Sequence, residues 1–395
     1  MGIQDILFIL FILLLAHVCI EYHVLKLGEE HRQNLTNLWY YHLLFGVLFF
    51  AYISIFGGDA KGYWAGDEID IKSLWAKGPG TYFIYILTNP FAYYLQLSFF
   101  SGSILFAFIG YLGLQFFYAI SVTHSKGNLK LFGYKVFPLL FFLPNLHFWS
   151  SGVGKDTLSF FSIGLFSYAS SKPLKRGWAI VVSLFLMYYV RPHIAIMILL
   201  SYGISILIDK RVNGLYRVLL TSVFILGFVV LFDDVMEYVK LEEVSTDSIE
   251  QFSSARASNL NRSHTGSAID ITSYPLPLKI FTFLYRPLFF DVHNITSLLA
   301  SFESLYLLAL SFHTLKAKPI KKFKSSPFQI KALTLFLIIA TLAFSSFLGN
   351  LGIILRMKNM VTPGLLLFCL YSLTYKNSSS ELNQHAKTKP KIRLA

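Results

Sequence analysis

Apolar runs recur along nearly the whole chain, and they constrain its fold more than any other feature. They lie near residues 3–20, 38–56, 97–120, 134–149, 157–171, 177–190, 194–208, 216–232, 294–313, 332–349 and 360–375. A helix needs about 20 apolar residues to cross the hydrocarbon of a bilayer, and fewer where polar ends reach the interface. Runs of this kind, separated by polar loops, predict an all-α polytopic membrane protein with about 11 transmembrane helices. Composition agrees, because only 14% of the 395 residues are charged, against about 25% in soluble domains. A disordered chain is excluded, and an ordinary soluble enzyme is a poor fit. The run 6–20 lacks a basic leader and a small-residue cleavage site, so it reads as a retained span rather than a signal peptide. Cys19 and Cys369 both lie in apolar runs and build neither a disulfide framework nor a CxxC metal site.

Between 177 and 208 the pair Arg191-Pro192 interrupts the pattern. One continuous helix would hold Arg191 mid-membrane and be broken by Pro192. A hairpin instead puts Arg191 and His193 at a surface turn and keeps Lys210 and Arg211 with the other basic loops, which favours the hairpin. Lys and Arg then sort by side. Segments 21–37, 123–135, 172–177, 209–217, 314–331 and 375–395 hold 22 of them, and segments 57–80, 150–156, 191–193, 233–293 and 350–359 hold 12. Acids run the other way, 5 against 14, with Asp5 and Glu303 inside spans. The positive-inside rule therefore predicts an N-terminus outside and a C-terminus inside. The net charge of +13 is topology rather than a nucleic-acid footprint.

The chain reads as one transmembrane domain, 1–375, whose outer loops 57–96 and 233–293 form the site, followed by a disordered basic cytoplasmic tail, 376–395. In the first loop, TYFIYILTNPFAYY reads as an interfacial or re-entrant helix. In the second, SSARASNLNRSHTGS reads as a mobile loop over the site. The lysines of 314–331 and of the tail read as topology determinants, with contact to anionic membrane lipids as the alternative.

The informative charges lie at span ends on the outer side. Asp59 follows the second run; Lys155 and Asp156 lie in GVGKD; Arg191 and His193 in YVRPH; Arg286, Asp291 and His293 in RPLFFDVHN; Arg356 and Lys358 in LGIILRMKN. Glu303 lies about three turns inside a span, a costly position unless it is paired or wetted. Any single arginine can simply snorkel to headgroups, but every outer turn carries such a group. Arg, Lys and His beside apolar surface suit a phosphate or diphosphate held at the membrane edge, and a nearby carboxylate can take a proton from a hydroxyl. Asp59 is the best-placed acid for that step, while Asp156 reads as a partner of adjacent Lys155. Asp67, Glu68 and Asp70 read as a solvated face, with a divalent cation as the alternative. Walker A, GxGxxG, HExxH and GxSxG motifs are absent.

An outer segment with an acid and aromatics just past a span, GGDAKGYW, resembles integral-membrane glycosyltransferases of the GT-C class and the related EpsG/Wzy-type polysaccharide polymerases. LPNLHFWSSGVGKDTLSFF, VRPH, FLYRPLFFDVHN with SFES, and GNLGIILRMKNM also resemble blocks of bacterial polysaccharide-cluster membrane proteins. The resemblance implies a GT-C-like fold in the bacterial inner membrane. It implies a polyprenyl-phosphate-linked sugar as donor, a glycan acceptor, membrane lipids as surroundings, and no nucleic acid. A chain-length regulator as further partner is left open. No cofactor is expected, and a divalent cation is left open because no acidic pair stands at Asp59.

Carried over, Asp59 would be catalytic. Lys155, Arg191, Arg286 and Arg356 would bind the lipid diphosphate. Tyr63, His193, Asp291, His293 and Glu303 would line or orient the acceptor site. The acidic loop follows the second span rather than the first, which favours the polymerase branch. Two alternatives remain. A transporter or flippase of lipid-linked sugars would carry charges along a path through the bilayer. A membrane acyltransferase would want a deeply placed histidine.

Overall fold

Long helices dominate the computed structural model, which describes residues 1–125, 129–131, 133–211, 213–239 and 267–374. Helix α1 (Ile3–Leu27) is followed by α2 (Arg32–Phe56) and by three short helices, α3 (Asp59–Tyr63), α4 (Ile71–Ala76) and α5 (Thr81–Asn89). Then come α6 (Phe99–His124), a two-stranded hairpin of β1 (Lys130–Leu131) and β2 (Tyr134–Lys135), and the short α7 (Val136–Leu139) and α8 (Pro144–Ser150). Helices α9 (Lys155–Ala169), α10 (Gly177–Val190), α11 (Pro192–Ile208) and α12 (Gly214–Val239) precede the 240–266 segment. The remainder is α13 (Leu276–Tyr285), α14 (Ile295–Lys316), α15 (Pro319–Ser325), α16 (Phe328–Ser345) and α17 (Leu351–Thr374).

Among the described residues, seven helices are long and apolar enough to cross a membrane: α1, α2, α6, α12, α14, α16 and α17. The chain is therefore a multi-pass membrane protein. Helices α9, α10 and α11, at 15, 14 and 17 residues, match predicted runs but fall short of that length. The 134–149 run is not one helix. Pro138 and Pro144 lack the N–H a continuing helix needs, so the chain turns and restarts, with Pro144 as the first residue of α8. The predicted 350–359 loop is corrected too: α17 begins at Leu351, so Arg356 and Lys358 stand on a helix. The break at Arg191 is as expected, since α10 ends at Val190 and Pro192 opens α11. The Ser/Asn-rich stretch of 233–293, apart from its last residue Ser267, and the tail 376–395 lie outside the described residues.

Burial separates a centre from a rim. The most apolar window of α6 is 78% buried and that of α17 72%, against 22% for α1 and 11% for α12. A helix that is apolar all round and mostly uncovered meets lipid rather than water, so α1 and α12 form part of the lipid-facing rim. Helix α6 packs on α1, α2 and α9, and α17 packs on α16, α9 and α8. The ends are fastened by polar contacts. The Asp5 carboxylate accepts from the backbone N–H groups of Gly2 and Ser98 at 2.8 Å and from the Ser101 hydroxyl at 2.6 Å, which joins the first turn of α1 to that of α6. At the far end of α11, buried Asp209 accepts from Arg211 and lies 3.5 Å from buried Lys331 of α16.

Close approach of α6 to α8 requires glycine at 110. A Cβ there would lie 1.8 Å from the Ser150 carbonyl oxygen and 2.8 Å from the His42 ring. Backbone cannot yield as a flexible side chain can, so Gly110→Val is expected to lose about 3 kcal/mol, the upper end of the usual cost of overpacking. Thermal unfolding in detergent should show that loss as a large fall in melting temperature or as absence of folded protein.

Candidate anion site at the helix ends

Three of the cations predicted on the outer side, Lys155, Arg191 and Arg356, gather around one carboxylate. Gly154, with φ +145°, precedes α9 and lets its first turn approach the Tyr63 ring, which a Cβ would meet at 3.3 Å. Asp156 in that turn is buried. Its Oδ1 accepts from Arg191 Nη2 at 2.6 Å, and its Oδ2 accepts from Arg356 Nε of α17. The Arg191 side chain is as buried as Asp156, whereas Arg356 is 30% exposed. The expected pairing of Asp156 with adjacent Lys155 is therefore corrected: two arginines distant in sequence, one at the break between α10 and α11 and one on α17, take the carboxylate. Lys155, half-buried, lies within electrostatic reach of Arg191, Arg356, Asp156 and Asp59. No carboxylate lies within ion-pair distance of its ammonium among the described residues.

Three cations thus surround one buried acid that already occupies two of them. The local balance is positive, with the Lys155 ammonium and the outer edge of the Arg356 guanidinium left for a further anion. A phosphate suits that arrangement better than a second protein carboxylate, because it presents several acceptor oxygens to fixed donors.

Asp59 and Tyr63 border this cluster. Gly57 and Gly58, with φ +77° and +147°, end α2 and start α3, leaving Asp59 exposed at its first position. Buried Tyr63 packs edge-on to Tyr85, and both Asp59 and Arg356 act electrostatically on its hydroxyl. Burial, reinforced by the Asp59 charge, pushes the Tyr63 phenol up, so it remains a proton donor at neutral pH. Trp149 of α8 lies beneath Arg356, with the guanidinium carbon 5.9 Å from its ring centre.

A second polar group sits deeper. Glu303 of α14 is buried, and its Oε2 accepts the Asn145 backbone N–H at 2.7 Å. Lys358, also buried, supplies the opposing charge, and its ammonium lies 3.4 Å from Ser304 Oγ and from the Arg286 carbonyl oxygen. Glu303 is therefore not the lone deep charge that the sequence suggests. Lys358 accompanies it because α17 starts before residue 358 and carries that side chain into the bundle.

The remaining predicted residues fall elsewhere. The Arg286 guanidinium is clamped by Asp291, with Nε donating to Oδ2 at 3.0 Å and Nη2 to Oδ1. That hydrogen bond, opposed by burial, holds the Arg286 guanidinium above its usual range. Arg286 and Asp291 are a closed pair in the turn before α14, not a group presented to an anion. His293 faces the cleft described next, with its Nδ1 3.0 Å from the Asp291 carbonyl oxygen. His193 stacks on Tyr238 and meets Phe344 edge-on. Asp70 caps α4 by accepting from Lys72 and Ser73 N–H. Among the described residues, no three His, Cys, Asp or Glu side chains are placed to hold a metal ion.

A cleft of ≈ 280 Å³ opens between α2, α8, α14 and the start of α17. Its walls are mostly aromatic and aliphatic, with Asn145, His293 and Asn294 among its polar groups. One feature escaped sequence reasoning. His42 of α2 and His147 of α8 are fully buried with Nδ1 atoms 2.9 Å apart, and His147 Nε2 donates to the Phe141 carbonyl oxygen at 2.6 Å. Isolated histidines in two apolar runs carry no spacing signal that would pair them. Neither lines the cleft, so this pair joins α2 to α8. Comparison with family models, with curated proteins and with solved structures finds no match for the chain.

Proposed function

We propose that this protein is a membrane glycosyltransferase of bacterial surface-polysaccharide assembly, of the polymerase type, working at the outer face of the inner membrane. In this reading the N-terminus lies outside and the C-terminus inside. The observation that carries it is the Asp156-anchored cluster of Arg191, Arg356 and Lys155 at the end of an apolar bundle, bordered by Asp59 and Tyr63. Such a cluster suits the diphosphate of a polyprenyl-linked glycan. The acceptor hydroxyl oxygen bonds to the anomeric carbon as the bond from that carbon to the diphosphate oxygen breaks. The polyprenyl diphosphate leaves with the electron pair, held by Arg356 and Lys155, and the hydroxyl proton passes to Asp59. Fixed cations aimed at charge that grows during bond cleavage lower the barrier without reorganising.

Two alternatives are less well supported. A transporter path would need charged groups continuing from one end to the other; Glu303 and Lys358 are one buried charged group, but the buried face of α11 over the about 26 Å of helix from Arg191 to Asp209 carries no charge, with Ile194, Ile198 and Leu199 beside Ser201, Tyr202 and Ser205. A glycan acyltransferase would need an accessible deep histidine, and His42 and His147 are enclosed. In a bacterium that depends on this protein for surface glycan, Asp59→Asn is expected to abolish long chains while the protein stays inserted and abundant. Full chain length in that variant would remove Asp59 from the chemistry.

A further inference from the structure

We infer that Lys318, Lys321 and Lys324, around α15, form a docking site for an anionic phospholipid headgroup at the end of the bundle opposite the Asp156 cluster. Helix α15 joins α14 to α16, two helices long and apolar enough to span the membrane. So short a link between two spans lies at the membrane surface. It is also fixed in place. The Tyr371 hydroxyl of α17 donates to the Ser325 carbonyl oxygen at 3.1 Å, and Arg211 donates to that of Ser326. The Phe323 ring lies 6.5 Å from that of Phe368. Arg356 and Tyr371 both stand on α17, about 22 Å of helix apart. This site is therefore separate from the Asp156 cluster, and it holds or fails without the transferase reading.

Three observations say what docks there. An open cavity of ≈ 480 Å³ is lined by the three lysines with Pro319 and Ile320. Its wall is almost wholly aliphatic, so the lysine stems rather than the ammonium groups form it. The three lysines are exposed, and among the described residues no carboxylate lies within ion-pair distance of them. Buried Asp209, at the same end, is already engaged by Arg211 and Lys331. Lys318 has φ +57° and ψ +62°, a left-handed conformation that glycine adopts freely and a residue with a Cβ does not. Glycine would serve the chain better at that turn; what lysine adds is a third ammonium. Ile320, between the lysines, is 73% exposed. An anionic amphiphile meets all of these features. Its phosphate faces the ammonium groups while its glycerol and first methylenes cover the lysine stems and Ile320. A zwitterionic headgroup would bring its own cation against the lysines, and a free phosphate would leave the aliphatic wall bare.

The test titrates the full-length protein, purified in detergent, with dioctanoyl phosphatidylglycerol and follows bound lipid by native mass spectrometry. Saturable binding is expected, with dioctanoyl phosphatidylcholine about tenfold weaker. Lys318→Gly, Lys321→Gln and Lys324→Gln together should weaken binding about a hundredfold, at about fivefold per lysine. Should the triple variant fail to fold, each substitution alone should show its own fivefold loss. Lys318→Gly also relieves the left-handed backbone, so its loss of lipid cannot come from misfolding. The control removes equal charge elsewhere at this end. Helices α6 and α9 reach it, where Gln329 bonds His124 and the Ser167 carbonyl oxygen. Lys130→Gln, Lys135→Gln and Lys172→Gln, in the loops just beyond, should together leave binding within about twofold. Equal weakening by this control, or equal affinity for the two lipids, would overturn the inference, because general positive charge or the detergent belt would then account for the binding. Displacement of the lipid by an equal concentration of inorganic phosphate would overturn it too, since the site would then read the anion and not the amphiphile.

Discussion

Asp156→Ala is expected to destabilise the protein by about 3–5 kcal/mol and to abolish its activity. The carboxylate is buried and accepts from both Arg191 and Arg356. Removing it leaves the Arg191 guanidinium in the interior with no carboxylate within ion-pair distance, a costlier state than losing both members of a pair together. Helix α9, the break between α10 and α11, and α17 meet through this group, so the loss should spread beyond one contact. Asp156→Asn keeps the volume and part of the hydrogen bonding, and should fall between wild type and alanine. Thermal unfolding of the purified variants in one detergent checks the order. Equal melting temperatures for wild type and Asp156→Ala would show that the arginines do not depend on this carboxylate.

Arg356→Ala is expected to lower the transfer rate by about 10²–10³-fold with a much smaller loss of stability. Arg356 is partly exposed and within electrostatic reach of Lys155, so in the proposed reaction its deletion removes a cation from the leaving group while Arg191 still neutralises Asp156. Lys155→Ala should act in the same direction, and the double variant should fall short of the product of the two effects because both serve one anion. Rates with a fixed concentration of lipid-linked donor, measured on protein of confirmed fold, decide the matter. Arg286→Ala should instead behave as a stability variant, because its guanidinium is engaged by Asp291.

Much of the fold was legible because lipid leaves few options. An apolar run near 20 residues with polar ends becomes a helix, and Arg191-Pro192 marked the boundary of α10 and α11 correctly. The positions of Asp59, Lys155, Arg191 and Arg356 at span ends also foretold that they could meet. What the sequence concealed was pairing. Asp156 and Arg356 are 200 residues apart, and nothing local distinguishes an acid that pairs with its neighbour from one that joins α9 to α17 and to the break between α10 and α11. Arg286 looked equivalent to Arg356, yet Asp291 five residues later closes on it. The burial of Lys358 was hidden because α17 starts inside what reads as a polar loop. The 134–149 run misled because its apolar content outweighed two prolines whose effect on the backbone is decisive.

The most direct test gives the purified protein, reconstituted in liposomes, a polyprenyl-diphosphate-linked oligosaccharide labelled in its glycan. Longer lipid-linked glycans are expected together with release of free polyprenyl diphosphate, both lost in Asp59→Asn and strongly reduced in Arg356→Ala. A wild-type protein that moves the labelled lipid between leaflets and leaves every glycan at its original length would contradict it.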